Sequence, residues 1–260
     1  MGTELSLKEI EAILEATPME RLKITCLYYK QDERPGVKKL VEKYEKKLFR
    51  FTKELSRLDN MLIYERKYGE YPFIAGIDEA GRGPLAGPVV AAAVILPKDH
   101  PILYLNDSKK LTEKRREALY DEIMRDAVSV GVGMAKEDRI DEVNILNATY
   151  EAMRDAVDKL SLKPDITLND AVKIPDLSVA RQVPIVKGDA KSLSIAAASV
   201  IAKVTRDRLM VEYDSLYPEY GFAAHKGYGT EQHVEALKKY GPCPIHRQTF
   251  IQHFIGDERE

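Results

Sequence analysis

The chain has 260 residues, with 40 Lys and Arg against 42 Asp and Glu; it is long enough for a full domain with an appendage or two small domains, and too evenly charged to be drawn to nucleic acid as a whole. No run approaches the ~18 apolar residues of a membrane span, and the opening MGTELSLKEIEAILEATPMERLK has acids and helical periodicity where a secretory signal has a basic end and an apolar core. Cys26 and Cys243 stand far apart with no CxxC spacing, which argues against a disulfide framework or a thiolate zinc site and fits a protein of the reducing cytoplasm, away from membranes.

Residues 1–71 read as a small, mainly helical and highly charged domain, broken at Glu33-Arg34-Pro35-Gly36. Within it Val37, Val41, Tyr44, Leu48, Phe51, Leu55, Leu58 and Leu62 recur at steps of four and three, the period of one apolar helix stripe. Lys39, Lys43, Lys46, Arg50, Lys53 and Arg57 keep the same rhythm two residues later and form one basic face opposite. Such a face is either a solvated surface or a phosphate-tracking ridge about 35–40 Å long, and this segment alone does not choose between them.

From Phe73 the texture changes. Short β-branched or alanine-rich runs (Phe73–Ile77, Pro88–Leu96, Val128–Met134, Ile166–Leu168, Val183–Val186) alternate with helical stretches over Thr112–Ala127, Asn147–Leu160, Ala190–Leu216 and Thr230–Tyr240. That alternation predicts an α/β domain over residues 72–260.

The first of these strands runs into PFIAGIDEAGRGPLAGPVV, where Asp78 and Glu79 stand side by side and Arg82 lies between Gly81 and Gly83. Adjacent carboxylates repel and are costly to bury, so something must compensate them. Asp170 ends a second strand-like run and Asp189 a third, at the start of a long helix. Taken singly, Asp189 suits an N-cap and Asp170 a turn. Taken together, three acidic sites, each at the mouth of an apolar strand, are expected to converge at one edge of a sheet, and four carboxylates so placed would call for hard cations such as magnesium or manganese. Strand alternation points Asp78 and Glu79 to opposite sides; the expectation is that Asp78 points inward and Glu79 reaches the metals where the strand ends.

Four segments, Ile77–Pro84 (IDEAGRGP), Leu105–Leu111 (LNDSKKL), Lys187–Ser199 (KGDAKSLSIAAAS) and His225–Thr230 (HKGYGT), closely resemble bacterial ribonuclease HII, in the family's order and over residues 72 to about 250. The first 71 residues are similar, in length and helical character, to the N-terminal extension of some members. The resemblance implies a ribonuclease H-like mixed sheet flanked by helices. It implies an endonuclease that cuts the RNA strand of RNA/DNA hybrids and nicks 5' of single ribonucleotides in duplex DNA, leaving a 3'-hydroxyl and a 5'-phosphate, in ribonucleotide excision and primer removal. Asp78, Glu79, Asp170 and Asp189 fall on the family's metal-site acids, although Asn169 stands where members more often have an apolar residue. Gly81, Arg82 and Gly83 fall on its ribose-reading loop, and Tyr228 on its junction-reading tyrosine. No obligate protein partner is expected, and the chain is expected to act as a monomer.

The residues carry these roles physically. Two cations can activate a water on one side of a phosphate and stabilise the leaving oxygen on the other. Glycines beside Arg82 let the main chain approach a sugar, whose 2'-hydroxyl alone marks ribose from deoxyribose. Tyr228, between glycines, offers a flat ring to the neighbouring deoxyribose. Lys109, and Lys191 with Ser192 at a helix start, are candidate phosphate contacts, with Lys110 a weaker one. His225 and His246 read as structural or substrate-adjacent. Two other classes compete: a dinucleotide enzyme, whose pyrophosphate Asp78 and Glu79 would repel, and a nucleic-acid-binding module whose acids only cap or pair and which would not nick.

Overall fold

The computed structural model describes residues 5–98, 101–179 and 181–255. The chain divides into two compact units, Met1–Asp59 and Asn60–Glu260. Among the described residues no helix is long and apolar enough to cross a membrane.

The first unit is built from α1 (Leu7–Ala16), α2 (Met19–Tyr29) and most of α3 (Pro35–Met61). Ser6 and Glu9 close a reciprocal capping box at the start of α1, and Pro35 opens α3 where a missing amide costs nothing. Ile10, Leu14, Leu22, Cys26, Val37, Val41 and Tyr44 form the core between the three helices. The apolar stripe of α3 drifts toward its end: Leu55 is 42% exposed, and Glu54 is buried in its place, paired to Arg57 at 2.6 Å. On an ideal helix Leu55 lies whole turns on from Val37, so the helix's own period does not account for its exposure; the three-helix core takes nothing from α3 beyond Leu48.

The second unit opens with α4 (Ile63–Lys67) and holds a five-stranded sheet in the order β3-β2-β1-β4-β5. The strands are β1 (Ile74–Ala80), β2 (Val89–Ile95), β3 (Ser129–Ala135), β4 (Ile166–Asp170) and β5 (Arg181–Ile185). β1 pairs antiparallel with β2 and β2 with β3, whereas β1–β4 and β4–β5 are parallel. Every residue of β2 is buried, as expected of a strand covered on both faces. The helix α6 (Glu137–Asp158) packs its Ala148, Ala152, Met153 and Ala156 against Ile77, Val89, Ala91 and Ala93. On the other face α7 (Leu193–Leu216) starts so close to β1 that a Cβ on Gly76 would lie 2.1 Å from the Ser194 main chain. α5 (Glu113–Asp126), α8 (Phe222–His225), α9 (Glu231–Tyr240) and α10 (Gln248–Ile255) complete the unit.

Two boundaries depart from expectation. β1 does not stop at Ile77 but pairs with β2 as far as Ala80↔Val90, because the antiparallel ladder carries it past the last parallel pair, Ile77↔Asn169. α6 begins ten residues before Asn147, with a break at Asn144 (φ 69°, ψ 163°); the Asn144 carboxamide accepts from the Leu146 and Asn147 amides, so the second helical segment has its own cap and only that segment shows a clean periodicity.

Candidate active site

The site grows from the point where β1 and β4 part. Their parallel pairing ends at Ile77↔Asn169, so Asp78 and Glu79 on β1 and Asp170, the last residue of β4, stand at two diverging strand ends. Alternation sends Asp78 to the α7 face with Gly76 and Glu79 to the α6 face with Ile77. Both nonetheless line one open cavity of about 670 Å³, which also takes in Asp170, Asp189, Gly81, Arg82, Gly83, Lys109, Ser199, Lys203 and Tyr228. The cavity wraps the end of the sheet, which is how two oppositely directed acids share it.

Asp189 arrives on a single 3-10 turn, Gly188–Ala190, entered through Lys187 at φ 58°. The Gly188 amide donates to Asp170 Oδ1 at 2.6 Å and ties that turn to the end of β4. Asp78 is 5% exposed. Its burial, followed by the neighbouring Glu79 charge, holds its carboxyl well above the usual carboxylate range, against hydrogen bonds from the Ser199 hydroxyl and the Glu79 amide. Burial also raises Glu79, opposed by Arg82, whose Nη1 lies 3.4 Å from Glu79 Oε1. Asp189 is raised by burial and then by Asp107 and Asp170, with Lys109 opposing.

These donors are oxygens only, the set that suits a hard divalent cation. Among the described residues, however, no three His, Cys, Asp or Glu side chains are drawn close enough to grip an ion as they stand. Glu79 leans toward Arg82 and Asp170 toward the Gly188 amide, as mutually repelling anions do when other partners are in reach. The residue types and their shared cavity fit such an ion; its coordination geometry is not preformed.

The loop after β1 is fixed from behind. Arg206 and Arg247 are 1% and 0% exposed. Arg206 donates to the carbonyls of Ala86, Pro88 and Lys226 at 2.8–2.9 Å. Arg247 donates to Gly81, Arg82 and Gly87 at 2.5–3.0 Å. Burial lowers both guanidinium pKa values, Arg247 to about 9, yet six carbonyl dipoles satisfy the charges. Gly81 sits at φ +95°, and a Cβ there would meet Arg206 Nε at 2.1 Å, so glycine alone fits. With the Gly81 and Arg82 carbonyls turned inward, the Arg82 and Gly83 amides on the same peptide planes face away from Arg247. The Tyr228 ring, 44% exposed, lies beside Gly83, with Lys203 Nζ 6.0 Å from its centre.

Lys109, in the turn Ser108–Lys110, lines the cavity. Lys110 instead points to Asp107 at 3.8 Å. Lys191 is exposed after the Asp189 turn. Ser192, expected at a phosphate, is fully buried: it caps α7 and donates its hydroxyl to Glu65 Oε1 at 2.6 Å, and Glu65 also accepts from the Ser194 amide and hydroxyl. The helix N-terminus thus already faces an anion of its own chain, which corrects the expectation for Ser192. In the first unit Lys39, Lys43, Lys46, Arg50 and Lys53 are exposed; Lys43 pairs with Glu11 at 2.8 Å and Arg57 with Glu54.

The sequence alone does not single out Arg206, Arg247 or Glu65. Arg206 carried a signal: Ala202, Arg206 and Met210 keep the four-residue step of the buried stripe of α7, and a charge on such a stripe is a buried polar group in need of partners. Arg247 and Glu65 carried none, since their partners are main-chain groups or lie more than 120 residues away.

The family described as Ribonuclease HII matches residues 75–253, and the Ribonuclease HII N-terminal domain matches residues 6–69. A ribonuclease HII of Lachnoclostridium phytofermentans is 62% identical over 228 residues, 88% of this chain and 89% of its own. One of Acetivibrio thermocellus is 56% identical over 255 residues, 96% of this chain and 98% of its own. Among solved structures, the ribonuclease H2 of Pyrococcus horikoshii OT3 aligns with a TM-score of 0.57 at 30% identity, over 68% of this chain and 93% of that one. The RNase HII of Archaeoglobus fulgidus, solved as a complex with PCNA, aligns at 0.58 and 29%, over 68% and 94%.

Proposed function

The chain belongs to the ribonuclease HII family, a ribonuclease H-type nuclease, and from that premise we propose that it cuts the RNA strand of RNA/DNA hybrids and nicks duplex DNA on the 5' side of a single ribonucleotide, leaving a 3'-hydroxyl and a 5'-phosphate. The observation that carries this reading is the shared cavity: four carboxylates, the main-chain loop around Arg82 and the Tyr228 ring line one space. Asp78, Glu79, Asp170 and Asp189 hold divalent magnesium or manganese. When bound, such ions activate the attacking water and offset charge at the leaving oxygen.

The remaining work belongs to the chain. The amides and carbonyls of Gly81, Arg82 and Gly83 meet the ribose and its 2'-hydroxyl, which no deoxyribose supplies. Arg247 and Arg206 hold those groups in place before substrate arrives, so little reorganisation is left for the bound state. Tyr228 lies against the deoxyribose beyond the junction. Lys109, and Lys191 from the neighbouring turn, contact phosphates; Ser192 takes no part. In the first unit, Lys39, Lys43, Lys46, Arg50, Lys53 and Arg57 follow the backbone as a phosphate ridge, in which Lys43 exchanges its bond to Glu11 and Arg57 its bond to Glu54 for phosphate. The complex named for the Archaeoglobus relative leaves room for a protein partner beside the nucleic acid.

Incubation of the protein with duplex DNA carrying one ribonucleotide tests the reading. A nick 5' of that ribonucleotide, appearing only with magnesium or manganese, is the expected product. Nicking in excess chelator, or equal cutting of an all-DNA duplex, would falsify it.

A further inference from the structure

A chain of buried side chains ends on the main chain of Tyr228. His233 and His246 are 0% and 2% exposed, and their Nε2 atoms lie 3.0 Å apart. The amide of Cys243 donates to His246 Nδ1 at 3.0 Å, and the Cys243 sulfur lies 3.1 Å from the same nitrogen. The Cys243 carbonyl oxygen also lies near Nδ1, at 3.3 Å, but the shorter amide contact aims a hydrogen at that nitrogen and leaves no room for a second, so we assign the hydrogen of neutral His246 to Nε2. That hydrogen is donated to His233 Nε2, which obliges His233 to carry its own on Nδ1. His233 Nδ1 lies 2.9 Å from the carbonyl oxygen of Tyr228 and donates to it. The tautomers follow from one another in a single direction, from Cys243 to Tyr228.

The surroundings hold this arrangement. His225 stacks on His233 with ring centres 4.6 Å apart, and Phe222 meets His233 edge-on at 5.3 Å. The Gly227 amide donates to His225 Nδ1 and the Tyr228 amide to the His225 carbonyl. Lys226 and Gly227 both sit at positive φ, 52° and 84°, a tight turn of the kind that needs external bonds to keep one shape. Burial keeps both rings neutral, lowering His233 and bringing His246 to about 4.

We propose that His246 and His233 form a neutral hydrogen-bond relay that fixes the Tyr228 main chain, and through it the ring angle, making them specificity-determining positioning residues for cutting beside a single ribonucleotide. Neither imidazole lines the cavity; the side-chain path from them ends on the Tyr228 carbonyl, and only the main chain of His246 is bridged to Ala86, beside the loop that Arg247 holds. The proposal rests on the reading of Tyr228 as the ring that meets the deoxyribose at the junction. A single embedded ribonucleotide offers one register, so a tilted ring loses the cut. A long hybrid offers many registers, and a tilted ring matters little there.

The test compares initial rates on duplex DNA with one ribonucleotide and on a long RNA/DNA hybrid, using the full chain with magnesium, for the parent, His233→Ala, His233→Asn, His246→Phe and Tyr228→Ala. The ratio of single-ribonucleotide to hybrid cleavage is expected to fall about tenfold in His233→Ala, the factor one buried hydrogen bond carries. His233→Asn, whose amide nitrogen reaches toward the Nδ1 position, is expected to restore most of it. His246→Phe keeps the packing but removes the donor to His233 Nε2; it is expected to lower the ratio less, and it supplies the answer if His233→Ala does not fold. A folded His233→Ala, or His246→Phe in its place, that keeps the parental ratio while Tyr228→Ala lowers it overturns the relay and leaves the tyrosine reading standing. An equal fall on both substrates overturns it as well, since a general structural role does that. An unchanged ratio in Tyr228→Ala removes the tyrosine reading and the relay with it.

Discussion

Asp78 and Asp170 are placed where removal of one charge has the largest effect, since the first is buried on the α7 side and the second anchors the Asp189 turn. Asp78→Asn and Asp170→Asn are expected to lower turnover roughly a hundredfold or more while hybrid binding, measured by gel shift or anisotropy, stays close to the parent's, because the proposed phosphate contacts lie elsewhere. Activity within a few fold of the parent would remove that residue from the site. Asp189→Asn is expected to be milder, as an amide oxygen on an outlying turn still offers a lone pair. His246 sets a pH dependence of its own. Its folded pKa of about 4 lies below the ordinary value of 6.5, so the unfolded chain takes up the proton first. The contribution of His246 is full above about pH 6.5 and is lost as pH falls toward 4; the carboxyls raised in the fold, Asp78 above all, act in the opposite sense, so the check is the melting temperature of the parent relative to His246→Phe, which should fall over that window. At this scale the sequence was legible where chemistry is written in adjacent letters, as in Asp78-Glu79 and Gly81-Arg82-Gly83. It was silent on Arg247 and Glu65, whose partners are main-chain groups or lie far away in the chain.

Among the elements, α7 links the most. Its first turn lies on Gly76 of β1, its N-cap Ser192 follows the turn that carries Asp189, and Glu65 of α4 binds Ser192 and Ser194 at once. Three hydrogen bonds converge on one carboxylate oxygen, and Glu65→Ala leaves three donors at a helix start without it. The expected loss is about 2 kcal/mol of stability, read as a lower melting temperature, together with a higher metal concentration for half-maximal activity as the Asp189 turn loosens. A variant with the parental metal dependence would confine Glu65 to a capping role. The α7 helix itself was visible, though expected from Ala190 where it begins at Leu193, but not its anion: the sequence suggested open amides for a phosphate, whereas the Glu65 carboxylate takes the Ser194 amide and the Ser192 and Ser194 hydroxyls. β1 likewise ran three residues longer than its apolar letters, because strand length is set by the neighbour's ladder as much as by its own composition.

Across the whole molecule, the two compact units meet in sequence at Asp59 and Asn60, whereas the change in sequence texture falls near residue 71. The difference matters to an experiment. A deletion at 71 takes away Glu65 and Tyr68, and Tyr68 packs with Ile74, Ile166, Leu168, Ile185 and Ile195 in the core of the second unit. Deletion of residues 1–59 is therefore expected to leave a folded nuclease, while deletion of 1–71 lowers its melting temperature. If the basic face of α3 follows phosphates, the shorter deletion also weakens hybrid affinity and flattens the log-log salt slope by about 0.9 for each phosphate no longer neutralised; unchanged affinity and slope would return that face to solvent. The buried arginines make such a titration easier to interpret. Arg206 and Arg247 grip the loop through main-chain carbonyls, away from water, and carboxylates such as the buried Glu137 act on them only at longer range, so added salt reaches their bonds hardly at all. Ionic strength then acts on the bonds between protein and nucleic acid while that loop keeps its shape, and, on the proposed role of the loop, a loss of activity in salt measures how firmly the substrate is held, not how well it is recognised.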